Sequence, residues 1–266
     1  MANKKKNTKK PSAKKITKTT TTTTVTTTTT VDKNLDTHYL LVLDRSSSMQ
    51  SCWDSTISGL NEQLNTIRHL EDKYTEQRYF VSLVVFDTEI ETILEDMPIS
   101  KVEDFDGTEF PPRMATALHD AMGIGISNLK ATLTKKNKKN DSISTALVVV
   151  MTDGWENASK EHNANSIKEM VEDLEKTGAW TFSYMGANQD AVLAAQAYGI
   201  GSGNAVTYTS TNVGARTANS VLSKAFMVRG ASNSTSYTVS GSTITLDASL
   251  NITIGDKIDM WYNYTA

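Results

Sequence analysis

The chain's 266 residues carry 27 Lys and Arg against 30 Asp and Glu, a formal net charge of -3, and include a single cysteine. That length admits one large α/β domain with an appendage, but not two such domains with linkers, and one cysteine excludes an intrachain disulfide framework. The charge is unevenly spread: residues 1–18 hold eight Lys and no acid, leaving 19 basic against 30 acidic side chains in the remainder, a net of -11. An acidic body argues against broad nucleic-acid binding, whereas the basic arm suits phosphates, anionic lipid or an acidic protein surface.

Residues 1–34 read as that basic arm followed by a tether, because 19–30 is threonine interrupted only by Val25. So little apolar material has no core to join, and a disordered or stiff spacer is expected. The basic start runs into threonines and not into an apolar stretch, so no classical signal peptide is read. No apolar run approaches the roughly 20 residues of a transmembrane helix. A cytoplasmic or virion location fits both absences.

The main domain is expected over 35–230. Residues 38–44 form the nearly continuous apolar run of a buried parallel strand, and 55–73 predict a helix in which Ile57, Leu60, Leu64, Ile67 and Leu70 recur at helical spacing. Cys52 is expected as a partly buried thiol where that helix starts. A strand over 79–86, rich in β-branched and aromatic residues, is followed by a short one over 90–94 that pairs with it as a hairpin. A helix over 115–133 ends in the basic turn 135–139, read as a solvated loop. The strand 144–151 leads straight into Thr152, Asp153 and Gly154. A helix over 164–177, a strand over 180–185, a short helix over 190–197, a strand over 205–208 and a helix over 212–228 complete the alternation. This order predicts an α/β fold: a mostly parallel open sheet covered by helices on both faces. From 231 to 266 the pattern changes to short alternating strands at 237–239, 243–246, 251–254 and 257–262, a small antiparallel β module too small to bury much core alone.

Three segments carry oxygen-bearing side chains to strand or helix ends. Asp44, Ser46 and Ser48 alternate in the loop after the first strand, Thr116 lies near the start of a helix, and Asp153 follows the central strand. In an open α/β sheet such strand ends converge on one crevice. These segments resemble the von Willebrand factor A (vWA) domain, whose metal-ion-dependent adhesion site reads Asp-x-Ser-x-Ser, then a distant Thr, then an Asp in a Thr-Asp-Gly context. The resemblance runs over about 36–230, including 184–190, which is similar to the fifth-strand region of bacterial and phage members. It implies a complete adhesion site with Asp44, Ser46, Ser48, Thr116 and Asp153 as metal ligands. The family commonly places glycine before the threonine, where this chain has Met114 and Ala115.

Two carboxylates and three hydroxyls suit a hard divalent cation: Mg²⁺ best, Mn²⁺ as a substitute, Ca²⁺ less well because the site is compact. One thiol and one nearby histidine disfavour soft metals. The expected function is divalent-metal-dependent protein binding, in adhesion or assembly, to a partner that presents an Asp or Glu carboxylate. Trp155, two residues past Asp153, either covers the sheet edge or anchors that partner. Glu156 and Asn157 are expected to structure the loop.

His119 and Asp120 beside the serines are read as helix residues and not as a catalytic pair, since no third group orients a Ser–His couple; an enzyme is not expected. Residues 253–262 resemble short β modules of phage structural proteins. That likeness, with the basic arm, raises a second reading as a virion or assembly component whose metal site is mainly stabilising. A third is a cytoplasmic partner of an ATPase machine.

Overall fold

The computed structural model describes residues 34–138, 142–187, 190–209 and 211, together with the backbone of 237–240 and 243–246. The arm and tether, the expected helix over 212–228 and the expected strands over 251–254 and 257–262 lie outside the described residues. Strands β1 (Asn34–Asp44), β2 (Gln77–Phe86), β3 (Ile90–Pro98), β4 (Ser142–Thr152), β5 (Trp180–Ala187) and β6 (Ala205–Tyr208) build one sheet in the order β3-β2-β1-β4-β5-β6. Every neighbouring pair is parallel except β2 and β3, which form the expected antiparallel hairpin. Between the strands run α1 (Trp53–Lys73), α2 (Leu118–Lys138), α3 (Ala164–Glu175) and α4 (Ala191–Ala197). A separate hairpin pairs β7 (Tyr237–Ser240) with β8 (Thr243–Leu246).

The apolar runs that predicted buried strands serve two cores at once, because successive side chains on a strand point to opposite faces. Tyr39, Leu41 and Leu43 of β1, with Leu147, Val149 and Met151 of β4, meet Leu60, Leu64 and Ile67 of α1. Leu40 and Val42, with Ala146, Val148 and Val150, meet Leu118, Met122 and Ile126 of α2 and Ile167 and Val171 of α3. The fold is therefore α/β, a mostly parallel open sheet with helices on both faces. Cys52 is fully buried beneath the start of α1. Among the described residues no helix is long and apolar enough to cross a membrane.

Two local expectations are corrected. Helix α2 begins at Leu118, not at 115, because the backbone that would extend it is engaged elsewhere: the Thr116 carbonyl accepts the Asn157 and Ala158 amides, and the Asp120 amide donates to Ser159 Oγ. Thr116 thus lies in the preceding loop. The same helix continues to Lys138 through the basic run expected to be a solvated loop. Lys136 is held there by tertiary contacts, its Nζ 2.5 Å from Asp96 and 3.6 Å from the centre of the Phe80 ring.

Candidate metal centre

Parallel strands bring their C-terminal ends to one edge of the sheet. β1 and β4 are neighbours whose outgoing connections lead to opposite sides, the topological switch point where open α/β sheets bind ligands. Asp44 is the last residue of β1, Asp153 follows β4 directly, and the pairing of Leu43 with Met151 sets the two exits side by side.

The Asp44 carboxylate is fully buried. One oxygen accepts the Ser46 amide at 2.6 Å and the other accepts the Thr152 hydroxyl at 2.5 Å. Burial pushes this carboxyl up to about 6, the hydrogen bonds from Thr152 and Ser46 opposing the shift and the nearby Asp153 charge adding to it. Ser46 Oγ lies 3.1 Å from Ser48 Oγ, and Ser48 Oγ donates to Asp153 Oδ1 at 2.5 Å. Four of the five predicted ligand residues are thus linked side by side.

Thr116 reaches the same crevice, as Gly154 reveals. A β-carbon placed on Gly154 would lie 3.0 Å from Thr116 Oγ1, 3.6 Å from Asp44 Oδ2 and 3.7 Å from Ser48 Oγ. Oxygens from two separate segments, the loop after β1 and the loop before α2, converge on a space beside the third that the missing glycine side chain keeps open. Two carboxylates and three hydroxyls are the donor chemistry of a hard divalent cation, so the residues present fit such an ion. Among the described residues no Lys or Arg pairs with Asp44, and no group of three or more His, Cys, Asp and Glu side chains offers an alternative centre.

A frame of residues that the sequence reading did not single out holds the loops. Arg45, the variable residue inside Asp-x-Ser-x-Ser, is buried and turns away from the crevice: its Nε donates to Asp87 Oδ2 at 3.0 Å and its Nη1 to Glu91 at 3.1 Å. Arg113 Nε donates to the same Asp87 oxygen at 2.7 Å, and the Arg113 amide donates to the Arg45 carbonyl. Burial opposes charge on Asp87, but the Glu89 amide, Arg113 and Arg45 together hold its carboxyl below the usual range. The available signal was positional, since Asp87 follows β2 as Asp153 follows β4.

The loop after β4 is anchored to the start of α2. Asp120 accepts the amides of Lys160, Glu161 and His162 at 2.7–3.0 Å. Glu156 accepts the amides of His119, Ala158 and Ser159 together with the Ser159 hydroxyl. Burial disfavours charge on Glu156, yet these donors outweigh it and lower its pKa. Asn157 grips Thr116, so Glu156 and Asn157 both have the loop-structuring role expected of them. His119 Nε2 meets the Tyr198 hydroxyl at 3.2 Å.

Met114 adopts φ +60°, the left-handed region that costs most residues strain and glycine little. Its carbonyl accepts both the amide and the hydroxyl of Ser47, at 3.1 and 3.0 Å. The loop therefore takes a glycine-like turn without the glycine. Trp155, beside Gly154, is 62% exposed.

Fold and crevice together define an open α/β domain with an oxygen-lined site at its switch point. No family model and no curated protein matches the chain. Solved structures similar to it include proximal thread matrix protein 1 from the mussel byssus, with a TM-score of 0.47 and 15% identity over 72% of this chain and 46% of that one. The vWF domain of the type V pili tip protein Mfa5 from Porphyromonas gingivalis has a TM-score of 0.47 and 11% identity, covering 74% and 96%. Manganese-loaded Plasmodium vivax TRAP protein has a TM-score of 0.41 and 16% identity, covering 63% of each chain. The match spans less than half the length of the mussel protein.

Proposed function

We propose that residues 35–230 are a vWA-type domain that binds a protein partner through a divalent cation, with Asp44, Ser46, Ser48, Thr116 and Asp153 as the metal-ligating side chains, directly or through water. The observation that carries this reading is the convergence of Thr116 Oγ1, Asp44 Oδ2 and Ser48 Oγ on the space beside Gly154. Mg²⁺ matches a compact set of oxygen donors best; Mn²⁺ substitutes, and the larger Ca²⁺ fits less well. When bound, the ion supplies a Lewis-acidic position that accepts an Asp or Glu carboxylate of the partner.

The chain's own residues prepare that position. Asp44 and Asp153 contribute two formal negative charges and the three hydroxyls none, so the protein does not overwhelm a divalent charge with anions. Asn157 and Glu156 set the height of Thr116 and of the loop beyond Asp153. Arg45 and Arg113, tied to Asp87, stiffen the first loop from behind. Trp155, exposed next to Gly154, is the candidate rim contact. Binding without catalysis is supported by His119, which engages Tyr198 and Glu156 and not either serine.

The test is calorimetric titration of the full chain with Mg²⁺, beside Asp44→Ala and Asp153→Ala, followed by pull-down from native lysate with Mg²⁺ or with a chelator. Saturable binding by the parent and not by the variants, with a chelator-sensitive partner, is the expected result. Equal Mg²⁺ binding by parent and variants rejects the assigned site. Partner capture that survives exhaustive chelation favours the structural or assembly reading, in which the cation only steadies the loops.

A further inference from the structure

Large apolar side chains are rarely left in water together, so their distribution is informative. Among the described residues four are strongly exposed, and Met114, Trp155 and Leu193 are three of them, at 57%, 62% and 61%. Met114 belongs to the loop that carries Thr116, and Trp155 adjoins Gly154. Trp155 and Leu193 also share the rim of a depression of about 150 Å³. Ala197 completes that rim, and Leu118, Tyr184 and Tyr198, all buried, line its floor. The floor is preformed: Tyr198 packs against Tyr184 at 5.9 Å between ring centres and meets His119 through its hydroxyl.

The depression and the cation crevice share one wall, Gly154. Their chemistry is complementary in charge. The one carboxylate lining the depression, Glu156, is satisfied by four protein donors. An acidic group there meets another acid and apolar walls, whereas an apolar group meets no unsatisfied charge. The crevice offers the reverse. A volume of this size holds about one benzene ring or a comparable aliphatic side chain.

Resting on the cation-dependent reading above, we propose that this depression is a second recognition subsite. It receives a bulky apolar side chain of the partner that lies one or two residues from the acid reaching the crevice. In an extended segment residues i and i+2 lie about 7 Å apart on the same side, so one short stretch of partner chain spans two subsites that share a wall. Affinity then comes from burying the apolar group against Trp155 and Leu193, and cation dependence comes from the acid.

The probe is a random peptide library displayed on phage, panned against the full chain in Mg²⁺ and eluted with chelator. Recovered sequences are expected to pair Asp or Glu with Leu, Ile, Phe or Trp within two positions. Ala197→Phe fills the depression from an exposed helix position, and Leu193→Ser removes part of its rim. Each is expected to lower the affinity of the recovered peptides by about tenfold or more, with Mg²⁺ titration and thermal melting unchanged. Peptides in which the acid has no apolar neighbour, or which bind Ala197→Phe as well as the parent, overturn the subsite and leave cation-dependent binding standing. Failure to recover any chelator-eluted peptide overturns both.

Discussion

Asn157 and Thr116, 41 residues apart, hold each other in both directions: Asn157 Oδ1 accepts the Thr116 amide at 2.9 Å, and the Asn157 amide donates to the Thr116 carbonyl at 3.0 Å. This clasp joins the loop that carries Asp153 to the loop that carries the only threonine in the crevice set. Asn157→Ala leaves a Thr116 amide without its acceptor, which costs about 1–3 kcal/mol when the donor is buried. Chemical denaturation is expected to show that loss, and Mg²⁺ titration a severalfold weaker affinity although no ligand side chain has been touched. Unchanged Mg²⁺ affinity in a destabilised variant separates the clasp from the site.

Gly154→Ala tests the crevice more directly. The added methyl lies 3.0 Å from Thr116 Oγ1 and within 3.7 Å of Asp44 Oδ2 and Ser48 Oγ. It occupies the space on which the oxygens converge. Mg²⁺ affinity is expected to fall by about tenfold or more, equivalent to about 1.4 kcal/mol, while circular dichroism and the melting midpoint change little. A variant that binds Mg²⁺ like the parent places the ion elsewhere.

Met114 offers a prediction of opposite sign. At an ordinary exposed position a change to glycine costs about 0.5–1 kcal/mol through the unfolded chain, but at φ +60° it also relieves strain of about 1–3 kcal/mol. Met114→Gly is therefore expected to leave stability unchanged or raise it by about 1 kcal/mol, and Met114→Ala to give no such gain, since alanine keeps the strain. Comparing the two in urea titrations isolates the backbone effect from loss of the side chain.

Part of the pH dependence of stability should trace to a buried cluster far from the crevice. His38 of β1 is 1% exposed, its Nδ1 2.6 Å from Asp96 of β3, with Lys136 of α2 on the other Asp96 oxygen. Burial lowers the His38 pKa below 6.5; the Asp96 hydrogen bond and charge and the Asp36 charge oppose the shift, and the Lys136 charge reinforces it. In the folded chain His38 therefore stays neutral while the unfolded chain takes up a proton. Stability is full above about pH 6.5 and is lost as the pH falls towards the lower folded value. His119, also lowered by burial, acts in the same direction. Asp44, raised to about 6 by burial, contributes in the opposite sense over the same window, so the test is a difference: the melting midpoint of the parent is expected to fall relative to that of His38→Gln between pH 7.5 and 5.5, and parallel profiles assign the pH dependence to other groups.

Much of this protein is local and could be read without coordinates. Unbroken apolar runs announce strands buried on both faces, the spacing of Ile57, Leu60, Leu64 and Ile67 announces a helix, and their alternation announces a parallel sheet, because each rests on periodicity within one segment. The set Asp44, Ser46, Ser48, Thr116 and Asp153 was legible only through the resemblance of three separate segments to the vWA adhesion-site pattern. Tertiary structure alone decided what keeps those residues in place and what lies beside them. Thr116 leaves the helix because Asn157 claims its amide and carbonyl. Asp120, an ordinary helix acid by sequence, turns its carboxylate to three amides across the loop. Lys136 reaches Asp96 and Phe80, and Leu193 reaches the rim that Trp155 shares. These pairings link residues tens of positions apart. A contact made by two distant segments leaves no periodic trace in either one.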